Sequence, residues 1–286
     1  MTSGPAIEVE GLRKAYGDHE AVRGITFGVR RGEVFGLLGP NGAGKTTTVE
    51  ILEGYRRRSA GRVAVLGFDP GDRPAELRRR AGIVLQSCGT YPHLSVRETL
   101  RHWAGFYPRP RPVEEVIDLT GLRGAADQRA RTLSGGQARR LDLALALVGD
   151  PELVFLDEPT TGFDPAARRA AWDTIRALRD LGVTVLLTTH YLDEAQALCD
   201  RVAILRDGAI LAEGPPADLV RGDYRIACTL AGERVEITTK DPTKVLHDLT
   251  GQALTRGERL EDLSVTRPSL EEVYLDLVVE EAEALA

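Results

Sequence analysis

The sequence predicts an α/β fold with a helical insertion and a small C-terminal α/β appendage, and three observations carry that prediction. Strand-sized apolar runs alternate with stretches of helical periodicity along most of the chain. One early strand, 33–38, runs straight into a glycine-rich loop that opens a helix. Near 213–216 the EGPP sequence interrupts the alternation, and a different pattern of strands follows it.

Taken in order, the apolar stretches at 7–9, 21–29 and 33–38 are separated by glycine and charged turns and read as strands opening a mixed sheet. The pattern turns helical from 45 to 53, and short strands follow at 62–65 and 83–85. Between about 95 and 148, Val96, Leu100, Trp103 and Ala104 repeat at helical spacing, and a YPRPRP turn sits at 107–112. This stretch reads as a helical subdomain set into the α/β core. Alternation resumes with a strand at 152–156, a helix at 165–181, a strand at 183–188, a helix at 192–199 and a strand at 201–205.

The break at EGPP places a domain boundary, giving a core of 1–215 and an accessory domain of 216–286. In the second part, 224–230 and 234–239 alternate like two antiparallel strands. A helix at 242–249, a strand at 260–266 and a closing helix with Leu270, Val273, Tyr274 and Leu277 on one face complete it. That spacing signals core packing.

Composition bounds the partners. The 286 residues carry a formal net charge of −6, so no overall basic field exists to hold a nucleic-acid backbone, and nucleic acid is not an expected partner. Of the 37 basic residues only Lys14, Lys45, Lys240 and Lys244 are lysines, which makes Lys45 in the glycine-rich loop an exception to an arginine habit. The three cysteines, Cys88, Cys199 and Cys228, are odd in number and widely spaced, which fits a reducing compartment better than a disulfide framework or a zinc site. The N-terminus has no basic region followed by an apolar run, so a secretory signal is not expected. Runs such as LVFL (153–156) and VTVLL (183–187) fall far below the ~20 residues that span a bilayer. If this protein moves something across a membrane, another chain is expected to supply the pore.

The segment GPNGAGKTT spans Gly39, Pro40, Asn41, Gly42, Ala43, Gly44, Lys45, Thr46 and Thr47 and follows a predicted strand at the start of a helix. Its glycines let the backbone curl so that successive N–H groups point inward, and the helix N-terminus adds its positive end: an anion cradle. In such a loop the lysine places a compact charge on β- and γ-phosphates, and the Thr46 hydroxyl ligates Mg²⁺. The strand LVFLDE brings Asp157 and Glu158 to the carboxyl edge of a sheet, where ligands of open α/β sheets bind. Two acids after a strand are by themselves most often a solvated turn. With a phosphate loop upstream, Asp157 becomes a Mg²⁺ holder and Glu158 the group that orients and deprotonates an attacking water. A third element, LSGGQ, places Ser134, Gly135, Gly136 and Gln137 before a helix bearing Leu141, Ala144, Leu145 and Val148. It reads equally as an ordinary helix start and as a second anion-binding device.

With these residues in view, the chain resembles the ATP-binding subunit of an ABC transporter over nearly its whole length. Walker A (GPNGAGKTT), the signature LSGGQ, Walker B (LVFLDE) and a histidine after a strand (TVLLTTH) stand in the family order. The resemblance implies a P-loop core of ABC type, ATP and Mg²⁺ as ligands, and ATP hydrolysis coupled to an integral membrane permease at the cytoplasmic face of the membrane. It implies that Tyr16, in KAYG, stacks on adenine. Gln86 is expected to approach Mg²⁺ and the attacking water, and Asp164, in TTGFDP, to join two ATP sites, with Phe163 in place of the usual leucine. His190 is expected to contact the γ-phosphate and position Glu158. One copy of each motif implies a dimer with a second copy or a related ATPase, the signature of one subunit closing over the ATP of the other.

Softer motifs, VLQSCGTYPHLSVRETL, TTHYLDEA and SLEEVYLDL, resemble the drug- and antibiotic-exporter subgroup of the daunorubicin-resistance type. The stretch 87–100 then looks like a docking surface for the permease, with Tyr91, Pro92 and Leu94 as anchors or as plain loop packing. Two competing readings fare worse. Soluble relatives that act on ribosomes or DNA carry two cassettes in one chain or a long coiled coil, and neither is present. A scaffold with dead catalytic residues is at odds with Lys45, Glu158 and His190 all being in place.

Overall fold

The computed structural model describes residues 4–84, 91–220, 223–230 and 232–266. Two compact units divide between Gly214 and Pro215.

In the first unit β1 (Ile7–Tyr16), β2 (His19–Val29), β3 (Val34–Leu38), α1 (Lys45–Leu52), β4 (Ala60–Val65), α2 (Ala75–Arg80) and β5 (Ala81–Val84) lead into three helices, α3 (Val96–Ala104), α4 (Val113–Leu119) and α5 (Gly135–Leu147). Then come β6 (Leu153–Asp157), α6 (Pro165–Asp180), β7 (Thr184–Thr189), α7 (Leu192–Leu198), β8 (Arg201–Arg206) and β9 (Ala209–Gly214). The expected single mixed sheet is in fact two. Strands β2, β1 and β4 form an antiparallel sheet of their own, and β5-β6-β7-β3-β8-β9 form the main sheet. The reason lies in side-chain pattern. The β1 strand buries Ile7 and Val9, half-buries Glu8 and exposes Glu10, as a one-faced sheet requires, whereas VFGLL of β3 and LVFLD of β6 are buried almost throughout, as parallel strands covered on both faces must be.

One core serves both sheets and α1. Ile7, Val22, Phe27, Phe35, Val49, Leu52, Phe155 and Leu186 are all buried in it, and the Phe27 and Phe35 rings stack at 5.5 Å. Burying each such side chain contributes roughly 1.5–3 kcal/mol. The helices begin where capping chemistry tells them to. Ser95 with Glu98 and Ser134 with Gln137 form capping boxes on α3 and α5, and Asp164 caps α6 ahead of Pro165. The β9 strand, absent from the sequence reading, returns antiparallel on β8 through Asp207 and Gly208, both at positive φ. A DG pair between apolar runs is the hairpin signal that marks it.

The second unit contains α8 (Pro216–Leu219), β10 (Tyr224–Leu230), β11 (Glu233–Thr239), α9 (Pro242–Arg256) and β12 (Glu261–Thr266). Its sheet has the order β11-β10-β12 and is antiparallel throughout, with Ile226, Cys228 and Leu249 at the centre of a small core. Helix α9 runs past the expected end at 249 to Arg256 and stops at Gly257 in the left-handed conformation. The expected closing helix over 270–277 lies outside the described residues.

Candidate functional site

Parallel strands β3, β6 and β7 lie side by side, so the loops that leave their carboxyl ends gather at one edge of the main sheet. The 39–44 loop follows β3, Glu158 follows β6 and His190 follows β7. Topology alone brings the 39–44 loop to Glu158 and His190, both more than a hundred residues further along the chain.

The loop after β3 is built for close backbone approach. A Cβ on Gly39 would lie 2.2 Å from the Leu205 carbonyl oxygen, and one on Gly44, at φ 100°, would lie 2.5 Å from the Ala21 carbonyl oxygen. Gly44 is also the N-cap of α1, and no side chain caps that helix. The N–H groups of its first turn therefore have no intrahelical partner and face outward as donors. Helices α5 and α6, by contrast, are capped by Ser134 and Asp164 side chains.

Lys45 is 4% exposed, and its ammonium donates to the carbonyls of Gly39 at 2.6 Å and Pro40 at 3.0 Å. Among the described residues it has no ion-pair partner. Burial lowers its pKa, and the charges of Glu158 and then Asp157 work in the opposite direction. A buried cation beside an uncapped helix N-terminus is an unbalanced positive site, and an anion with several oxygens balances it. Phosphate groups of a nucleotide fit that demand.

The acid pair is held from β7. Thr188, fully buried, donates its hydroxyl to Asp157 Oδ1 at 2.5 Å and accepts from the Glu158 N–H at 3.0 Å. Glu158 sits at φ 46°, a left-handed backbone conformation that costs a non-glycine residue on the order of 1 kcal/mol. Its carboxylate accepts from the Thr161 hydroxyl at 3.2 Å and meets His190 Nδ1 at 3.2 Å. Strain of this kind persists where neighbours over-determine the position, and here Thr161, Thr188 and His190 do so.

Two clefts flank Glu158. One, of about 550 Å³, is lined by Tyr16, His19, Pro40, Asn41, Gly42, Gly44, Lys45, Thr46 and Thr47. The other, of about 510 Å³, is lined by Gly135, Gly136, Arg139, Asp142, Thr161, Phe163 and Asp164. Tyr16 stands 41% exposed at the mouth of the first, with Lys14 Nζ at 4.8 Å and the Arg56 guanidinium at 5.3 Å from its ring centre. In the second cleft, Gly135 and Gly136 line the wall, while Ser134 and Gln137 spend their side chains on each other's backbone N–H. Asp164 accepts from the N–H groups of Ala166 and Ala167. Phe163 is half-buried and also borders an apolar crevice with Leu143, Leu156 and Ile175, which anchors its loop to α5 and α6.

Most of the residues named from the sequence line one cleft or the other, with Glu158 common to both, while Asp157 and His190 reach the site through Thr188 and Glu158. Gln86 lies outside the described residues. The sequence reading missed Thr188, His19 and Arg139. Arg139, on the signature helix, donates to the Asp157 carbonyl at 3.3 Å and so ties α5 to the acid pair. The TT preceding His190 and the short YGDH turn are the signals that point to Thr188 and His19.

Mg²⁺ fits these residues in one way only. Among the described residues no group of three or more histidine, cysteine, aspartate or glutamate side chains is placed to hold a metal. Mg²⁺ characteristically takes one or two carboxylates and completes its shell with water and substrate phosphates. The Thr46 hydroxyl, exposed at the start of α1, and the Asp157 carboxylate, whose charge acts on Lys45, are of the donor types such a partial set uses.

Fold and site together define a P-loop ATPase of α/β type with a helical subdomain. A profile described as ABC transporter matches residues 22–161. The linearmycin resistance ATP-binding protein LnrL of Bacillus subtilis is 34% identical and aligned over 95% of this chain and 97% of its own length. The Nod factor export ATP-binding protein I of Rhizobium sp. strain N33 is 39% identical over 97% of this chain and 98% of its own. Among solved structures, cbiO1 of Clostridium perfringens, part of the ABC transporter complex cbiONQ, superposes at a TM-score of 0.68 with 30% identity over 75% of this chain and 90% of its own. An ATP-binding subunit of an ABC transporter superposes at 0.70 with 25% identity over 96% and 99%. The cassette MJ0796, solved as a dimer, superposes at 0.65 over 73% and 98% of the two chains, and at 24% identity it speaks for the fold alone. The chain belongs to the ABC transporter family as an ATP-binding, ATP-hydrolysing subunit. Among the described residues no helix is long and apolar enough to cross a membrane.

Proposed function

We propose that this subunit powers an exporter of a drug, antibiotic or other lipophilic compound, acting at the cytoplasmic face of the membrane as a dimer on a separate integral membrane permease. What carries the reading is near-full-length similarity to an ATP-binding protein named for Nod factor export and to one named for linearmycin resistance, in a chain that bears all the catalytic side chains. The Nod factor relatives outnumber the antibiotic one among the similar proteins, so the daunorubicin-type subgroup rests on the softer sequence motifs alone.

In this reading ATP lies in the Tyr16-lined cleft, its adenine on the Tyr16 ring and its phosphates on the 39–47 loop and Lys45. Thr46, Asp157 and Gln86 would hold Mg²⁺, which would supply positive charge to neutralise the phosphates. Glu158 takes the proton of a water whose oxygen attacks the γ-phosphorus, the bond to the β-bridging oxygen breaks, and ADP keeps that electron pair. His190 holds the Glu158 carboxylate through its 3.2 Å contact and reaches the γ-phosphate. The Gly135 and Gly136 wall of the second cleft, with Ser134 and Gln137, closes over the nucleotide of the other subunit, and Asp164 lies at that junction. ATP then bridges two subunits that hydrolysis releases, a two-state element able to do work on a permease.

The test is affinity purification of the Glu158→Gln protein from native membranes in Mg-ATP, followed by mass spectrometry. Stoichiometric recovery of a polytopic membrane protein is the expected result. Recovery of ribosomal or DNA-bound partners instead would replace this reading with that of a soluble ABC ATPase.

A further inference from the structure

The His190 ring lies against the ring of Tyr191, with centroids 4.1 Å apart and planes inclined at 40°. On Tyr191 rests the guanidinium of Arg168, 4.8 Å from the ring centre, with Nη1 bonded to Asp193 at 3.1 Å. Arg168 Nε is buried and has no hydrogen-bond partner among the described residues, so the aromatic face is one of the few contacts that hold this cation. Arg168 stands in the first turn of α6, its N–H bonded to the Asp164 carbonyl at 2.9 Å. The stack therefore runs from the N-terminus of α6 through Tyr191 to His190, and from His190 Nδ1 to Glu158 Oε1 at 3.2 Å.

A single contact of that length leaves an imidazole free to rotate about its bond to Cβ, and a half-exposed ring at the wrong angle turns Nδ1 away from the carboxylate. Tyr191 supplies a flat surface against which only a narrow range of ring angles packs, and Arg168 pins that surface from the other end. Neither residue lines the two clefts around Glu158. We propose that Tyr191 and Arg168 are positioning residues for ATP hydrolysis, which hold His190 at the angle that keeps Glu158 in place. The proposal rests on His190 and Glu158 having the roles given above.

The test is steady-state ATPase kinetics of the purified full chain with a parallel nucleotide titration. Tyr191→Ala is expected to lower kcat about tenfold with KM and nucleotide affinity within about twofold of wild type, because the lost interaction acts on the reaction and not on binding. Tyr191→Phe, which keeps the ring, should restore kcat, and Arg168→Gln should fall between the two. In a His190→Ala background, adding Tyr191→Ala should cost nothing more, since residues that act as one unit are non-additive. Wild-type kcat in Tyr191→Ala, or an undiminished further loss on the His190→Ala background, overturns the proposal. Should Tyr191→Ala fail to fold, Tyr191→Leu fills more of the volume than alanine without a ring and carries the same expectations. Wild-type kcat in His190→Ala points to failure of the underlying assignment of His190, which separates the two failures.

Discussion

The hydroxyl of Thr188 donates to Asp157 Oδ1 at 2.5 Å, and the same oxygen accepts the N–H of Glu158 at 3.0 Å. One buried atom on β7 thus orients the side chain of one acid and the backbone of the next. Thr188→Val keeps the shape and removes both bonds. We expect kcat to fall about tenfold or more and stability to drop by about 1–2 kcal/mol, with Thr188→Ser recovering most of each. ATPase rates and urea melts of the three proteins decide it, and an undiminished rate in Thr188→Val would show that Asp157 and Glu158 need no support from β7.

Lys45 is the one lysine of the nucleotide cleft, and its ammonium is seated on the Gly39 and Pro40 carbonyls. That seating fixes the charge where the anion must bind, at the expense of desolvation that pulls its pKa down. Lys45→Ala should weaken nucleotide affinity about tenfold and reduce turnover to about 1% or less. Fluorescent-nucleotide titration and phosphate-release assays read the two effects separately. Wild-type turnover would remove the loop from the catalytic centre.

The strand-to-helix alternation and the motif positions were legible because each depends on local chemistry. Gly39 and Gly44 read as loop residues and stand where a Cβ would strike a carbonyl, and Ser134 reads as a helix start and caps its helix. What the local pattern does not encode is which strands pair. The one-faced pattern of β1 differs from the fully buried β3 and β6, but the pairing of β1 with both β2 and β4 is revealed only by the tertiary structure. Support for the site was hidden for the same reason. Thr188 and Arg139 look like an ordinary strand threonine and a helix-surface arginine until β6, β7 and α5 are brought side by side.

If the two clefts around Glu158 serve nucleotides in different subunits, blocking hydrolysis should lock two chains together. Glu158→Gln keeps the side-chain volume and loses the base, so with saturating Mg-ATP it should run as a dimer by light scattering, returning to monomer when the nucleotide is removed. A monomer under those conditions would count directly against the shared site. The same protein should retain nucleotide binding, which distinguishes it from Lys45→Ala.

Glu53 ends helix α1 with its carboxyl largely buried, and its pKa is pushed up to about 8 by that burial first, then by the charges of Asp157 and Glu50. In the unfolded chain it titrates near 4.5. Between those two values the native state keeps a proton that the unfolded state has released, so stability falls as pH rises through this window and levels off above about 8. Glu53→Gln imitates the protonated side chain at every pH. It should therefore match wild type near pH 4.5 and exceed it increasingly toward pH 8, by on the order of 2–4 kcal/mol at the upper end. Urea melts of both proteins across this range, with chelator present so that no divalent cation sits near Asp157, give the comparison directly. Two stability curves that stay parallel would mean that Glu53 does not titrate there and that its carboxylate is solvated in the native protein.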